Sequence, residues 1–327
     1  MTTDEHEGKD KAPNQTSPTV GTTAVRGVVA GLDESESALH AVLWAAGEAH
    51  TLGVPLTVVY ALHLPEAAVA PLEPDDFAER QQKAGDDLVE TAAAGIRELY
   101  PELTIETRTA PSSPTNMLAE LSAPDVLVVT GTRGHGGFAG LLLGSVSRAL
   151  ATHADGPLVV VRGPAPEDAR GPVLLGVGLD PAESAVQYAF AAARRYGVPL
   201  HVVRSWMLPM PMAGIGLPGG GALGLGGPGV LSAPEGQDSD AEEAADAARA
   251  IEPVRLRYPE VEVEITAKLG NPVPVLTEAG AAARLIVVGA HRHRGPFSVG
   301  AGYVVEGLLA HSPVPVAVIP VRAGGDD

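Results

Sequence analysis

The sequence predicts an α/β protein: two tandem doubly wound domains, each a five-stranded parallel sheet with helices on both faces. Two observations predict it. The chain repeats itself with a domain-sized period, and within each repeat short β-branched runs alternate with helix-patterned stretches. Val28-Val-Ala-Gly-Leu returns as Val173-Leu-Leu-Gly-Val, and Gly53-Val-Pro-Leu-Thr-Val-Val as Gly197-Val-Pro-Leu-His-Val-Val. Asp125-Val-Leu-Val-Val-Thr-Gly131 returns as Arg284-Leu-Ile-Val-Val-Gly-Ala, and Gly156-Pro-Leu-Val-Val-Val-Arg is echoed by Val314-Pro-Val-Ala-Val-Ile-Pro. A spacing of about 150 residues is the size of a domain and too long for a solenoid unit.

In the first repeat the predicted strands are Gly27–Leu32, Leu56–Ala61, Leu103–Thr109, Val126–Thr130 and Leu158–Val161. Their apolar residues fall on both faces, as in parallel strands covered by helices on each side. Helix Ser37–Leu52 follows the acidic, serine-containing turn Asp33-Glu-Ser-Glu-Ser and stops at Gly53, which matches cap preferences at both ends. Asp76–Leu99 is a longer helix closed by Pro101, and Pro114–Leu121 and Ser145–Thr152 complete the set. Residues 1–25 are polar and Pro/Thr-rich, which predicts a disordered tail. The expected domains are 26–162 and 172–322, joined by the short linker Gly163–Gly171.

Composition bounds the function. The 327 residues are 45% hydrophobic and 19% charged, ordinary for a soluble globular protein, while 4% aromatics leave the cores to Val, Leu, Ile and Ala. Forty acidic against 22 basic residues give a net charge of −18, which argues against nucleic acid or an anionic membrane as a partner. The absence of cysteine excludes disulfides, thiolate catalysis and Cys-ligated metals, and suits a cytoplasmic location. The charged N-terminus lacks the apolar segment of a signal peptide. Residues 207–234 carry no charge, but nine glycines and five prolines among them rule out a stable spanning helix. This insertion is expected to be a loop, either an inert one or a lid or docking segment using Met207, Met210 and Met212.

Open α/β sheets bind ligands beyond the carboxyl ends of their strands, where the strand order reverses. After the first strand stands Gly31-Leu-Asp33-Glu-Ser35. After the fourth comes a glycine-rich turn from Gly131 to Gly144 that leads into a helix near Ser145. Glycines admit phosphate oxygens close to the backbone, and helix N-terminal N–H groups favour anions. Ser145 and Ser147 can add hydroxyl donors and Arg133 a charge, although Arg133 can equally be solvated. Asp33 suits the hydroxyls of a ribose or an adenine amino group, or else caps the helix that follows it.

The residues Gly131-x2-Gly134-x9-Gly144-Ser145 match the G-x2-G-x9-G-(S/T) signature of ATP-binding universal stress proteins, and Asp33 stands where that family places its adenosine-contacting aspartate. The chain therefore resembles that family over roughly 26–162 and again over 171–322. The resemblance implies sheets of order 3-2-1-4-5 and an ATP site in which Asp33 and Ala61 line the adenosine pocket. It further implies that Gly131, Arg133 and Gly134 wrap the ribose and phosphates. Gly144, Ser145, Val146 and Ser147 would hold the phosphate tail, with Mg2+ as a companion ion. Fifth strands commonly pair in the family, so Leu158–Val161 and Val316–Ile319 are expected to meet in an intramolecular pseudo-dimer, with further pairing of two chains left open.

The second repeat departs from the signature. Arg292 replaces the second glycine, Tyr303 the hydroxyl residue, and Gly178 the aspartate, with Asp180 two residues on. A weakened or altered site is expected there. Gly214-Ile-Gly-Leu-Pro-Gly219 and Gly224-Leu-Gly-Gly-Pro-Gly229 fit a dinucleotide fingerprint only literally, since no helix follows. His291 and His293 lack further ligands for a metal, and His153 and His311 recur in both repeats as a shared structural feature. No catalytic constellation emerges. The expected function is ATP-dependent regulation or stress protection through an unidentified protein partner. The alternatives are slow ATP hydrolysis or phosphate transfer, and a nucleotide-independent interaction module.

Overall fold

A computed structural model describes residues 24–62, 74–132, 134, 143–164, 170–207, 236–291 and 301–321. The first half runs β1 (Gly27–Gly31), α1 (Glu36–Leu52), β2 (Leu56–Leu62), α2 (Pro74–Leu99), β3 (Ile105–Pro111), α3 (Pro114–Leu121), β4 (Val126–Gly131), α4 (Ser145–His153) and β5 (Leu158–Val161). The second half repeats the series as β6 (Val173–Val177), α5 (Glu183–Tyr196), β7 (Leu200–Trp206), α6 (Gly236–Arg255), β8 (Val263–Leu269), α7 (Pro272–Ala279), β9 (Leu285–His291), α8 (Tyr303–His311) and β10 (Val316–Val321). The expected elements are present, their ends shifted by a few residues.

Local chemistry sets several boundaries. Ser35 is the N-cap of α1, its hydroxyl accepting from the Ala38 N–H at 3.1 Å. Gly53 and Gly197 end α1 and α5 in the left-handed conformation, at φ 67° and 63°. The short helices α3 and α7 begin alike, with Ser113 or Asn271 as cap and a proline in the first turn. His153 and His311 each place Nδ1 against a carbonyl one turn back, at 2.8 and 2.9 Å, which is the structural role their recurrence suggested.

The ten strands form one sheet in the order β3-β2-β1-β4-β5-β10-β9-β6-β7-β8. Each half has the order 3-2-1-4-5 and is parallel throughout. The two blocks join where β5 and β10 run antiparallel, with Val160 opposite Val316 and Leu158 opposite Val318. The two five-stranded sheets join, as expected, through their fifth strands into a continuous ten-stranded sheet, and those strands offer unbroken apolar edges. Leu158–Val161 is buried along its whole length. One core, containing Ala45, Phe190 and Ile251, lies under α1, α2, α5 and α6. The other, containing Leu118, Leu150, Leu276 and Leu308, lies under α3, α4, α7 and α8.

Polar contacts also cross the junction. Arg162, just beyond β5, donates to the Leu309 and Ala310 carbonyls at the end of α8, at 3.3 and 2.6 Å. Glu48 on α1 is 3% exposed and accepts hydrogen bonds from Arg195 and from the Tyr196 hydroxyl, both on α5. Burial, and then the Glu48 carboxylate, push the Tyr196 pKa far upward, so the phenol remains a donor.

Among the described residues no helix is long and apolar enough to cross a membrane. The predicted tail up to residue 23, linker residues 165–169 and insertion residues 208–234 lie outside the described residues, as do Arg133, Arg292 and His293.

Glu48→Ala leaves the Arg195 guanidinium buried without its carboxylate, and such losses cost about 3–5 kcal/mol. Urea denaturation is expected to show a loss of that order, with a smaller one for Glu48→Gln, which keeps the shape and one acceptor.

Candidate functional site

Strands β1 and β4 are parallel neighbours, from Gly27 opposite Val126 to Ala30 opposite Val129. The chain leaves β1 for α1 on one face of the sheet and leaves β4 for α4 on the other. Diverging connections open a crevice at the carboxyl ends of these two strands.

Asp33 stands at one wall. Its Oδ1 accepts from the Ser35 N–H at 2.9 Å and from the Ser35 hydroxyl, so Asp33 braces the cap residue and Ser35 caps the helix. The second oxygen, Oδ2, lies so close to Gly134 that a β-carbon at 134 would collide with it. The first-strand aspartate and the second glycine of the motif therefore meet across the crevice. Gly31 pairs with Val59, and the Leu32 N–H donates to the Val59 carbonyl, so Asp33 and Ala61 leave adjacent strand ends. Ala61 is half-buried against the core beneath α3 and α4. On the opposite face, burial and then the Glu34 and Asp33 carboxylates raise the Tyr60 pKa, keeping that phenol protonated beside the acidic corner.

The other wall is the bend between β4 and α4. Gly131 passes under the first turn of α1 so closely that a β-carbon would stand 2.5 Å from the Ser37 hydroxyl oxygen and 2.7 Å from the Ser37 backbone. The Thr132 N–H donates to Ser37 Oγ at 3.0 Å, and its carbonyl accepts from the Gly144 N–H at 2.7 Å. Gly144 is the N-cap of α4 and offers no side-chain bond to the helix. Ser145 is exposed, Val146 half-buried and Ser147 2% exposed. The Ser147 hydroxyl, expected among the ligand donors, is turned inward. It donates to the Gly131 carbonyl at 2.7 Å and lies 3.1 Å from Thr130 Oγ1. What the start of α4 presents is the Ser145 hydroxyl and helix N-terminal N–H groups that its glycine N-cap leaves without a side-chain partner of its own, an arrangement suited to anions.

Asp33, Gly131, Gly134, Gly144 and the first turn of α4 are therefore gathered at one crevice, and Arg133 lies outside the described residues. Sequence reasoning missed Ser37, Thr130 and Thr132. Their only signal was the placing of small hydroxyl residues beside Gly131 and just after Asp33. Among the described residues no group of three or more His, Asp or Glu is arranged to hold a metal.

The same end of the second half is built differently. Val288 and Val305, both buried, take the places of Thr130 and Ser147, Ala290 takes that of Thr132, and the α5 atoms nearest Gly289 are the β-carbons of Ala185 and Ala182. A β-carbon on Gly289 would find only ordinary contacts, the nearest at 3.4 Å. Tyr303, at the start of α8, accepts through its hydroxyl from Asn271 Nδ2 at 2.9 Å. The Gly178 carbonyl accepts from Arg204, which is itself paired with Glu243.

The model of the universal stress protein family matches residues 25–162 and 224–320. A universal stress protein of Mycolicibacterium smegmatis is 30% identical over 304 residues, covering 90% of this chain and 97% of that protein. One from Mycobacterium tuberculosis is 31% identical over 300 residues, covering 89% and 96%. Among solved structures, a universal stress protein from Archaeoglobus fulgidus shares the fold with a TM-score of 0.65 at 17% identity, over 90% of this chain and 98% of that one.

The contrast between Gly131 and Gly289 yields a stability test. Gly131→Ala forces α1 and β4 apart and is expected to cost about 1–3 kcal/mol in urea denaturation. Gly289→Ala is expected to stay within about 0.5 kcal/mol of the parent protein.

Proposed function

Because the chain belongs to the universal stress protein family, we propose that it is a cytoplasmic stress-response regulator that binds one adenine nucleotide, ATP, in the crevice of its first half. The observation that carries this is the meeting of Asp33 with Gly134, in a bend that leads into a helix whose N-cap is a glycine. A carboxylate for the sugar or base and bare N–H groups for phosphates then stand on facing walls. Asp33 Oδ1 is engaged with Ser35, but each carboxylate oxygen accepts more than one bond, and Oδ2 faces the crevice.

The residues fit the group. Gly131 and Gly134 stand where β-carbons would collide with their neighbours, so the backbone at these points is kept bare. Ala61 lines the base side of the pocket, Arg133 adds charge, and Gly144, Ser145, Val146 and Ser147 surround the phosphates with main-chain donors and one free hydroxyl. Mg2+, when bound, would offset phosphate charge in a protein whose net charge is −18. Phosphoryl transfer requires a group that orients the attacking oxygen. The residues gathered here bind and orient phosphates, so the nucleotide acts as a signal that sets conformation or partner choice. The second half keeps the architecture and has Val288 and Val305 where the first has the buried hydroxyls of Thr130 and Ser147, which supports a structural or regulatory role for it.

Isothermal titration with Mg-ATP is expected to give one equivalent per chain. Asp33→Ala and Gly134→Ala should each weaken binding at least about tenfold, the equivalent of about 1.4 kcal/mol. Two equivalents of equal affinity, or full affinity in both variants, would contradict the assignment.

A further inference from the structure

Thr132 is where the two walls of the crevice are fastened together. It is 6% exposed, its carbonyl holds the Gly144 N–H at 2.7 Å, and its own N–H is held by Ser37 Oγ at 3.0 Å. The first bond fixes the N-cap of α4 to the end of β4. The second fixes the end of β4 to the first turn of α1, two residues beyond the cap that Asp33 braces. Resting on the nucleotide assignment above, we infer that Ser37 is a positioning residue. Acting through Thr132, it sets the separation between the Asp33 wall and the phosphate-facing N-terminus of α4.

Three features of the chain support a dedicated role. Ser35 already caps α1, so the Ser37 hydroxyl is not required for capping. Gly131 approaches the Ser37 hydroxyl and backbone so closely that a β-carbon on 131 would collide with both, so Ser37 and the end of β4 are in direct contact. Among the described residues of the second half the arrangement differs at both ends. The β-carbons of Ala185 and Ala182 stand near Gly289, whereas Ser37 stands near Gly131. There β9 does not turn away at its glycine but continues in the ladder, with Ala290 opposite Pro320 and His291 opposite Val321. The half that packs Val288 and Val305 in place of Thr130 and Ser147 thus also runs on past its glycine.

A preorganised site binds more tightly by the fraction of time it is already in its competent form. Losing Ser37 Oγ should therefore penalise a ligand that spans both walls and spare one that uses only the Asp33 wall. The test is titration of the full chain and its Ser37→Ala variant with Mg-ATP and with adenosine, alongside amide hydrogen exchange of the ligand-free proteins. The expected result is an ATP affinity lower by about tenfold and an adenosine affinity changed less than about twofold. The Thr132 amide should be protected in the parent protein and exchange faster in the variant. Equal losses for ATP and adenosine, or no loss for either, overturn the inference, because the hydroxyl would then be a general prop or an idle group. An unprotected Thr132 amide in the parent protein overturns it without recourse to the variant. If the parent protein binds neither ligand, the nucleotide assignment itself fails and takes this inference with it.

Discussion

The crevice depends on how closely β4 passes beneath the first turn of α1. Gly131 lies against the hydroxyl and main chain of Ser37, closer than any residue with a β-carbon would permit. That approach brings the Thr132 N–H within reach of Ser37 and leaves the Gly131 carbonyl to Ser147. The bend then returns to Thr132 through the Gly144 N–H, which fixes where α4 begins. A single steric condition thus links the sheet centre to two helix termini of opposite faces. The polar groups around it are buried but paired, so the bend is fixed without an exposed charge at its base.

The two halves show how one architecture is kept while its chemistry changes. Both halves have the same strand order, the same glycine endings to α1 and α5, and the same short helices that open with a proline behind a polar cap. Where the first half has Thr130 and Ser147 sharing a hydrogen bond, the second packs Val288 and Val305. Either solution fills the space between strand and helix, the first with paired hydroxyls that hold the Gly131 carbonyl and the second with apolar side chains. The halves are bound into one sheet by β5 and β10, and the buried Glu48 contacts tie α1 to α5 across that junction. The helix that forms one wall of the crevice is therefore also part of the seam between the halves.

Most of the fold was legible in the sequence, because buried parallel strands must be apolar on both faces and helices on a sheet must end in recognisable turns. Gly53 and Gly197 are legible because their left-handed backbone favours glycine. The joining of β5 to β10 was expected only from the family resemblance, and the uncharged edges of Leu158–Val161 and Val316–Ile319 give it a physical reason. Side-chain direction was harder to read. Asp33 and Ser35 are both good capping residues, and only the backbone geometry decides that Ser35 caps and Asp33 braces. Ser145 and Ser147 look equivalent along the chain, yet their positions on α4 leave one in solvent and turn the other onto Gly131. Ser37 had no periodic or motif signature, since its importance arises from a contact between residues distant in sequence.

The account makes its sharpest claim about where a bound nucleotide lies. A crystal structure of the chain with Mg-ATP tests it most directly. It is predicted to show one nucleotide per chain, its adenosine against Asp33 and Ala61 and its phosphates on the backbone of Gly144–Ser147. A nucleotide seated instead between Gly178 and Tyr303, or a first crevice empty at saturating ATP, would contradict it.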